Sequence, residues 1–200
     1  FKKSLQDDKG RVVANIGSLE EDLEGHIVTN VSQNLSFSSL FLRLVFEKII
    51  DKHQLDTEKI INYLKPSVVI QSNKLYFIRK ALDAFFEKNY IVTIHILVPQ
   101  IEDIIRYLLE QLGGNILKPT KNYYGGFNLR TLGDVLGDDK IKEILGEDFS
   151  QYLRVLLIDQ RGWNLRNKVC HGIANEKAFN SHSADRLVHV LLCLGMIQKK

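Results

Sequence analysis

Apolar residues recur at helical spacing along most of this 200-residue chain. Between residues 28 and 53, Leu40 and Leu44 belong to a wide apolar stripe that predicts one long helix. Similar stripes predict helices over residues 74–88 and 183–198. The chain has three prolines, whereas a β-sandwich needs frequent turn signals. The pattern therefore predicts an all-α protein, built as a helical bundle.

Polar capping residues mark where several of the shorter helices begin. Ser18 followed by Glu21 has the spacing of a capping box and predicts a short helix over residues 19–25. Asp56 is a suitable cap for a helix over residues 57–64. Further short helices are expected over residues 132–136, 140–145 and 151–159.

The longest apolar run lies within residues 89–112 and is apolar on all sides in its first half. Such a run is typical of a buried helix, although a strand has the same pattern. Pro99 lacks a backbone N–H, so it either removes one backbone hydrogen bond or starts a new helix. His95 is expected to be a hydrogen-bonded histidine of the core, and Gly113 and Gly114 end the element.

Two segments lack a sustained hydrophobic period. Residues 1–27 are predicted to form an irregular N-terminal segment with a short strand at residues 11–14. Residues 115–130 are predicted to form a loop or hairpin insertion. Residues 28–200 then make a single α-helical domain. Because the chain begins with Phe1 and not with methionine, we expect it to be a fragment of a longer protein.

Composition adds limits on location and partners. The 27 basic and 24 acidic side chains leave a net charge of +3, which is compatible with an acidic partner but is weak evidence for nucleic acid. Two cysteines are too few for a disulfide framework, which favours a reducing, cytoplasmic compartment. Their spacing gives no zinc motif, so no metal or cofactor is expected. No apolar run is long enough to cross a bilayer, so no membrane contact is expected from this chain.

The densest group of chemically capable side chains lies in the stretch LRNKVCHG. Arg166 can hold a phosphate through its planar fork of N–H donors, and His171 can move a proton near neutral pH. On a helix, Asn167 and His171 share one face because they are four residues apart, whereas Arg166 lies at the edge of that face. Such a group suits RNA cleavage without a metal, in which arginine stabilises the phosphorane and histidine transfers a proton.

The same residues also fit a purely structural explanation. His171 and Gly172 are typical of an ordinary helix C-terminus, where a cation faces the helix dipole and glycine turns the chain. Arg166 can instead form a structural ion pair with Asp159 or with Glu102. Spacing alone favours the structural explanation, and both explanations stay open at this point.

The neighbours of the motif carry similar alternatives. Glu102 and Arg106 are four residues apart, so they can bridge each other on one helix face or orient Arg166. Trp163 is expected to be a packing anchor and not a platform for stacking bases. Cys170 lies among apolar neighbours, and we expect it to be a small buried side chain.

The stretch RNKVCHG resembles the signature of the HEPN superfamily, the higher-eukaryote and prokaryote nucleotide-binding domains. In that signature an arginine and a polar neighbour precede a histidine, and Arg166, Asn167 and His171 match it. The longer pattern HILVPQIEDIIRYLL, TLGDVL and LLIDQRGWNLRNKVCHG resembles a group of unknown function within the superfamily. This group includes an endoplasmic-reticulum-membrane-associated RNA degradation protein and many bacterial members. The resemblance covers residues 95–173 well and the rest of the chain loosely.

The resemblance implies a helical bundle whose core spans about residues 89–200 and which often forms a homodimer through the face that carries the motif. It also implies that Arg166 stabilises the phosphorane, that His171 transfers the proton and that Asn167 positions both. The residues that would support these three are Glu102, Arg106 and Asn164.

Two functions follow from the resemblance. The first is a metal-independent endoribonuclease that cleaves RNA by attack of the 2′-hydroxyl, in RNA degradation or in phage defence. The second is a non-catalytic module of a larger protein that binds RNA or a nucleotide and dimerises. The superfamily contains members of both kinds. The modest net charge fits the module slightly better, whereas the intact motif favours the enzyme.

Overall fold

The computed structural model describes residues 2–7 and 9–198, and most of these residues lie in helices. The helices among them are α1 (Leu23–His53), α2 (Thr57–Leu64), α3 (Leu75–Phe86), α4 (Tyr90–Gln111), α5 (Leu132–Leu136), α6 (Asp139–Leu145), α7 (Glu147–Leu157), α8 (Leu165–Cys170) and α9 (Ser181–Gly195). The strands are β1 (Lys3–Gln6), β2 (Val12–Ile16), β3 (Leu117–Pro119) and β4 (Phe127–Leu129), and short 3-10 turns occur at Ser72–Lys74 and Glu176–Ala178. This content agrees with the predicted all-α class. None of the helices in the described ranges is long and apolar enough to cross a membrane.

Helix α4 is the centre of the fold and packs against α3, α8 and α9. Its inward face carries Ile94, Leu97, Ile101 and Ile105, which are all completely buried. These positions follow the helical repeat, so one face of α4 contributes a continuous row to the core. Helix α9 packs on this row and also contacts α1. The main hydrophobic core therefore surrounds α4.

Pro99 lies inside α4 without ending it. Its missing N–H deprives the carbonyl of His95 of a helical hydrogen bond. Both residues are exposed, so water can solvate that carbonyl and the helix continues. The alternatives of a strand or of a new helix at this proline are therefore wrong. His95 is also not the core residue that was expected, because its ring stacks on Phe179 at the surface with ring centroids 4.8 Å apart.

Helix α1 begins earlier than the predicted boundary at residue 28. Asp22 caps it, and the Asp22 carboxylate accepts a hydrogen bond from the backbone N–H of Gly25 at 2.8 Å. Residues 19–21 form only a turn. The separate helix predicted over residues 19–25 is therefore wrong, because the Asp22 cap starts a single helix that continues through Gly25.

Both segments without a hydrophobic period contain an antiparallel hairpin. Strands β1 and β2 pair within the N-terminal segment, and their register shifts between Leu5 and Gln6. Strands β3 and β4 pair within residues 115–130, the segment predicted to be a loop or hairpin. At the tip of this second hairpin, Tyr123 and Tyr124 are almost fully exposed. That the second hairpin is an insertion into a HEPN-like bundle stays a prediction.

The start of three other helices is set by a capping side chain or by a glycine with a left-handed backbone. Helix α2 has its predicted bounds because the Asp56 carboxylate accepts a hydrogen bond from the backbone N–H of Lys59 at 2.8 Å. Helix α7 begins at Glu147, earlier than predicted, directly after the left-handed Gly146. Helix α9 also begins earlier than predicted, because Asn180 caps it.

Candidate functional site

The motif residues lie on and around α8, a helix of six residues. Leu165 and Val169 are four residues apart and buried, so they fix one side of the helix against the core. The preceding residue, Asn164, has a left-handed backbone with φ of 52°, which asparagine adopts more readily than most residues. Gly162 is required in the loop before it, because an added Cβ would collide with the carbonyl oxygen of Val155. These contacts fix the position of α8 in the fold.

The C-terminus of α8 is a left-handed glycine turn. Gly172 has φ of 65°, and its N–H donates to the carbonyl of Val169 at 3.1 Å. The N–H of Ile173 donates to the carbonyl of Lys168 at 3.0 Å, which completes a Schellman motif. His171 is the last residue before this turn and is exposed. The ordinary helix C-terminus that was expected as the structural explanation is therefore present.

A buried carboxylate on α4 binds two arginines. Glu102 is 5% exposed, and its oxygens accept hydrogen bonds from Arg166 Nε at 2.7 Å and from Arg166 Nη2 at 3.1 Å. Arg106, one turn further along α4, also donates to Glu102 through Nη2. Burial alone would raise the pKa of Glu102, but the hydrogen bonds from Arg166 and the charge of Arg106 outweigh burial and hold the pKa below its usual value. The two alternatives for Glu102, a bridge to Arg106 and the orientation of Arg166, thus occur together.

Asn167 connects this ion pair to the loop before α8. Its Oδ1 accepts a hydrogen bond from Arg166 Nη1 at 3.0 Å. Its Nδ2 donates to Asn164 Oδ1 at 2.7 Å and to the carbonyl of Ile158 at 3.2 Å. The loop therefore fixes the amide, and the amide in turn orients the guanidinium. Five of the six predicted site residues form one hydrogen-bonded network, which we call the Glu102 cluster: Glu102, Arg106, Asn164, Arg166 and Asn167.

His171 lies outside the Glu102 cluster. Its side chain is exposed, and its ring makes no hydrogen bond to any residue that the structure describes. Its backbone N–H donates to the carbonyl of Asn167 at 3.1 Å, so α8 fixes its Cα while its ring remains free to rotate. The structure thus places His171 at the C-terminal end of the helix that carries Arg166, without orienting the imidazole.

The Glu102 cluster carries one excess positive charge, because a single carboxylate faces the guanidinium groups of Arg106 and Arg166. Arg166 uses three of its five N–H groups on Glu102 and Asn167, which leaves two for another acceptor. The Arg166 side chain is 24% exposed, so an anion from solvent can reach it. The arrangement can therefore bind a phosphate at the exposed edge of Arg166.

A second ionic cluster joins α7, the loop after it and the start of α1. Asp159 is 9% exposed and accepts hydrogen bonds from Arg161 at 3.0 and 2.9 Å. Arg154 forms an ion pair with Asp159 at 3.1 Å. Both arginines also pair with Glu24, and Arg161 pairs with Asp22 at 3.7 Å. We call these five residues the Asp159 cluster.

The Asp159 cluster rules out one predicted partner of Arg166. The sequence alone did not predict this cluster. Asp159 has arginine partners of its own, so the alternative in which it pairs with Arg166 is wrong. Only the spacing of Asp159 and Arg161 is visible in the sequence, and such pairs are common on any charged surface. The partners on α1 lie more than 100 residues away along the chain, where no local pattern indicates them.

Two expectations about the neighbours of the motif have opposite outcomes. Trp163 packs against the core, as expected, and its indole N–H donates to Ser36 Oγ at 3.3 Å, but the residue is only partly buried and part of its ring stays accessible. Cys170 is exposed, so the prediction of a buried thiol is wrong. Partial burial raises the pKa of the Cys170 thiol, although the charge of Arg166 opposes this, and the thiol is protonated at neutral pH.

Within the described ranges, no three His, Cys, Asp or Glu side chains come together as a metal site requires.

Comparison of the chain with models of protein families, with curated proteins and with solved structures finds no match. The resemblance to the HEPN superfamily therefore rests on the sequence motif.

Proposed function

We propose that this chain is a metal-independent endoribonuclease of the HEPN type. The observation that supports the proposal most directly is the fixed position of Arg166, whose guanidinium is bound by the buried Glu102 and by Asn167. Arg106 shares the same carboxylate, so Glu102 does not cancel the positive charge of the pair. The two free N–H groups of Arg166 and this excess charge suit a phosphorane, which gains negative charge as it forms.

In the proposed reaction, the 2′-hydroxyl of RNA loses a proton and attacks the adjacent phosphorus. The bond from phosphorus to the 5′-oxygen of the next nucleotide breaks, and that oxygen takes up a proton. The products are a 2′,3′-cyclic phosphate and a 5′-hydroxyl. His171 is the group proposed to transfer a proton, because an imidazole accepts and donates protons near neutral pH.

We also propose that two copies of the chain share the reaction. One imidazole cannot easily act as base and as acid on opposite sides of one phosphorus. A two-fold axis near His171 would bring a second imidazole to the other side of the phosphate. The exposed side chains of Cys170, His171 and Ile173 form a surface that a second copy can cover. The proposed interface includes residues 164–172.

A second candidate function is a non-catalytic module that binds RNA or a nucleotide and dimerises. The isolation of His171 favours it, because no described residue orients the imidazole for proton transfer. Such a module needs only the positive charge that Arg106 and Arg166 supply. Binding of RNA without turnover would distinguish this function from the first.

The proposed setting is RNA degradation or phage defence in the cytoplasm. Cys170 and Cys193 are both free thiols, which fits a reducing compartment. The proposed RNA partner is present in the same compartment.

The test is incubation of the chain with labelled RNA in the presence of EDTA. We expect cleavage that persists in EDTA and leaves 2′,3′-cyclic phosphate ends. His171→Ala should abolish cleavage and keep RNA binding, since His171 lies outside the Glu102 cluster. His53→Ala is the matched control, because His53 is also an exposed histidine at a helix end. Cleavage that vanishes in EDTA and returns with magnesium would overturn the mechanism, and binding without cleavage would support the second function.

The shared site has a separate test. Arg166→Ala and His171→Ala, each inactive alone, are mixed under conditions in which subunits exchange. If each copy supplies the group that the other lacks, part of the activity returns in the mixed dimers. A chain that is monomeric by light scattering at the concentration of the cleavage assay would contradict the shared site.

A further inference from the structure

A cavity of about 350 Å³ lies on the side of α8 that faces away from Glu102. Lys168 lines this cavity, and it is two residues from Arg166, which corresponds to about 200° around the helix. The other lining residues come from α1, from α8 and the loop before it, from the 3-10 turn at Glu176–Ala178, and from the start of α9 with its cap. No member of the Glu102 cluster lines the cavity, so the cavity is a separate place in the fold.

Two lysines bring positive charge to the wall of the cavity. Lys168 and Lys177 both line it, and neither forms an ion pair with any residue in the described ranges. His182 is a third lining side chain that can donate to an anion. Among the described residues that line the cavity, none is acidic. The two lysines of the wall therefore attract an anion.

Ser183 adds a hydroxyl to the wall of the same cavity. Ser183 is 5% exposed, it lines the cavity, and its hydroxyl makes no hydrogen bond to any described residue. Its backbone N–H is satisfied by the Asn180 side chain at 2.9 Å, so the free group is the hydroxyl alone. This hydroxyl can therefore donate a hydrogen bond to an oxygen of a ligand in the cavity. Ser183 also lies in the first turn of α9, where the helix dipole favours negative charge.

The cavity is also lined by an aromatic side chain. Trp163 lines the cavity, and its indole N–H is already bound to Ser36 Oγ at 3.3 Å. The ring therefore offers the cavity only apolar surface. A planar base can pack on such a surface whatever its sequence identity, because every base has a π face.

We propose that this cavity binds a phosphate-bearing nucleotide unit, either free or as part of an RNA strand. The phosphate would contact Lys168, Lys177 and the Ser183 hydroxyl, and the base would lie against Trp163. The volume is near the lower end of the range of about 300–1,000 Å³ for ligand pockets, which fits one nucleotide. The site goes beyond the proposed cleavage, because neither Arg166 nor the other residues of the Glu102 cluster take part.

The experiment follows the fluorescence of Trp163, the single tryptophan of the chain. The chain is titrated with 5′-AMP, with adenosine, with inorganic phosphate and with a short 5′-phosphorylated RNA. We expect 5′-AMP to change the fluorescence at a concentration at least about tenfold lower than adenosine does, because one charged hydrogen bond accounts for that ratio. Adenosine that binds as well as 5′-AMP would overturn the proposal.

Variants assign the binding to the cavity. Lys168→Gln and Lys177→Gln should each weaken 5′-AMP binding about tenfold, and Ser183→Ala should weaken it less. Lys121→Gln is the control, because Lys121 is an exposed lysine that does not line the cavity. Calorimetric titration measures the same affinities without the fluorophore, and circular dichroism confirms that each variant is folded. Equal weakening by the control variant, or no effect of either lysine in the cavity, would overturn the assignment.

The ligands also distinguish the two sources of the phosphate. Binding of 5′-AMP as tight as that of the RNA supports a site for free nucleotides, whereas RNA binding that far exceeds it supports a strand contact. Absence of binding by both would overturn the proposal. His171→Ala should bind 5′-AMP like the unmodified chain, so the site and the proposed ribonuclease activity can fail independently.

Discussion

Glu102 and Asp159 are both buried carboxylates that bind two arginines each, yet their surroundings differ in charge. Glu102 faces Arg106 and Arg166 with no second carboxylate in its cluster, so positive charge remains. The Asp159 cluster contains Glu24 and Asp22 as well, so three carboxylates face two arginines and negative charge remains. A buried carboxylate with two arginines is therefore part of a positively charged cluster at Glu102 and of a negatively charged cluster at Asp159.

The difference separates a structural network from a candidate site. In both clusters the arginines hold one carboxylate below its usual pKa, so both pairings stabilise the fold. Only the Glu102 cluster keeps a charge that an anionic substrate can use. Its Arg166 also has unused N–H groups on a partly exposed side chain, close in sequence to His171. Both carboxylates therefore have a structural role, and the positive charge that remains makes the Glu102 cluster the candidate site for an anion.

The largest expected effect comes from replacing one arginine in each cluster by lysine. Arg166→Lys should reduce RNA cleavage by about a hundredfold or more, because lysine cannot bind Glu102 and a phosphorane with one planar fork. Arg161→Lys should leave cleavage near that of the unmodified chain. The rates are measured on labelled RNA, and circular dichroism checks that both variants fold. Equal rates for the two variants would assign Arg166 to the scaffold alone.

The second expected effect is on stability. Glu102→Gln leaves two partly buried arginines without a carboxylate and should lower the free energy of unfolding by about 3 kcal/mol. Asp159→Asn should cost about half as much, because Glu24 and Asp22 still face Arg154 and Arg161. Urea unfolding of both variants measures the difference. A larger loss for Asp159→Asn would reverse the comparison of the two clusters.

A smaller effect is expected in acid. For Glu102 and Asp159, burial alone would raise the pKa. The hydrogen bonds and charges of the arginines lower the pKa by more than burial raises it, so the pKa of each carboxylate in the folded chain lies below its usual value. Each carboxylate therefore adds stability that is fully present above the pKa of the unfolded chain, about 4, and is lost as the pH falls through the lower pKa of the folded chain. Glu102→Gln should lose less stability over this acid range than the unmodified chain does. Parallel curves from urea unfolding at several pH values would show that the Glu102 charge contributes nothing.

The smallest effect is expected at Cys170, which adjoins the Glu102 cluster without adding charge. Its thiol is exposed and protonated at neutral pH, so Cys170→Ala should change the free energy of unfolding by less than about 0.5 kcal/mol. Cleavage should also persist. A folded alanine variant without activity would mean that the thiolate takes part in the reaction.

The parts of the fold that depend on neighbouring residues could be predicted from the sequence. Asp56 starts α2 where its capping pattern indicates, because that cap needs only the next few residues. Pro99 shows the limit of such patterns, since its effect depends on whether the affected carbonyl reaches water. At the start of α1, the competition between the Ser18 and Asp22 caps depends on which backbone the whole chain can adopt. Local signals thus indicate helices better than they indicate helix boundaries.

The candidate site could be predicted only in part. The spacing of Arg166, Asn167 and His171 predicted one short helix, and α8 contains the first two and ends directly before His171. Glu102 is 64 residues from Arg166 along the chain, so its two simultaneous arginine partners depend on how α4 packs against α8. The unoriented ring of His171 is likewise a result of where the helix ends, which the glycine after it determines.

The turn at Gly172 needs a left-handed backbone but not the absence of a side chain. Apart from its chain neighbours, no atom of the described residues lies within 4 Å of the position that a Cβ would occupy there. The requirement is therefore one of chirality, because an L-residue is strained at φ of 65° and a D-residue is not. A synthetic chain with D-alanine at this position would keep the turn and lose part of the freedom that glycine has in the unfolded chain. The stereochemistry of one α-carbon thus governs where the His171 side chain leaves the backbone.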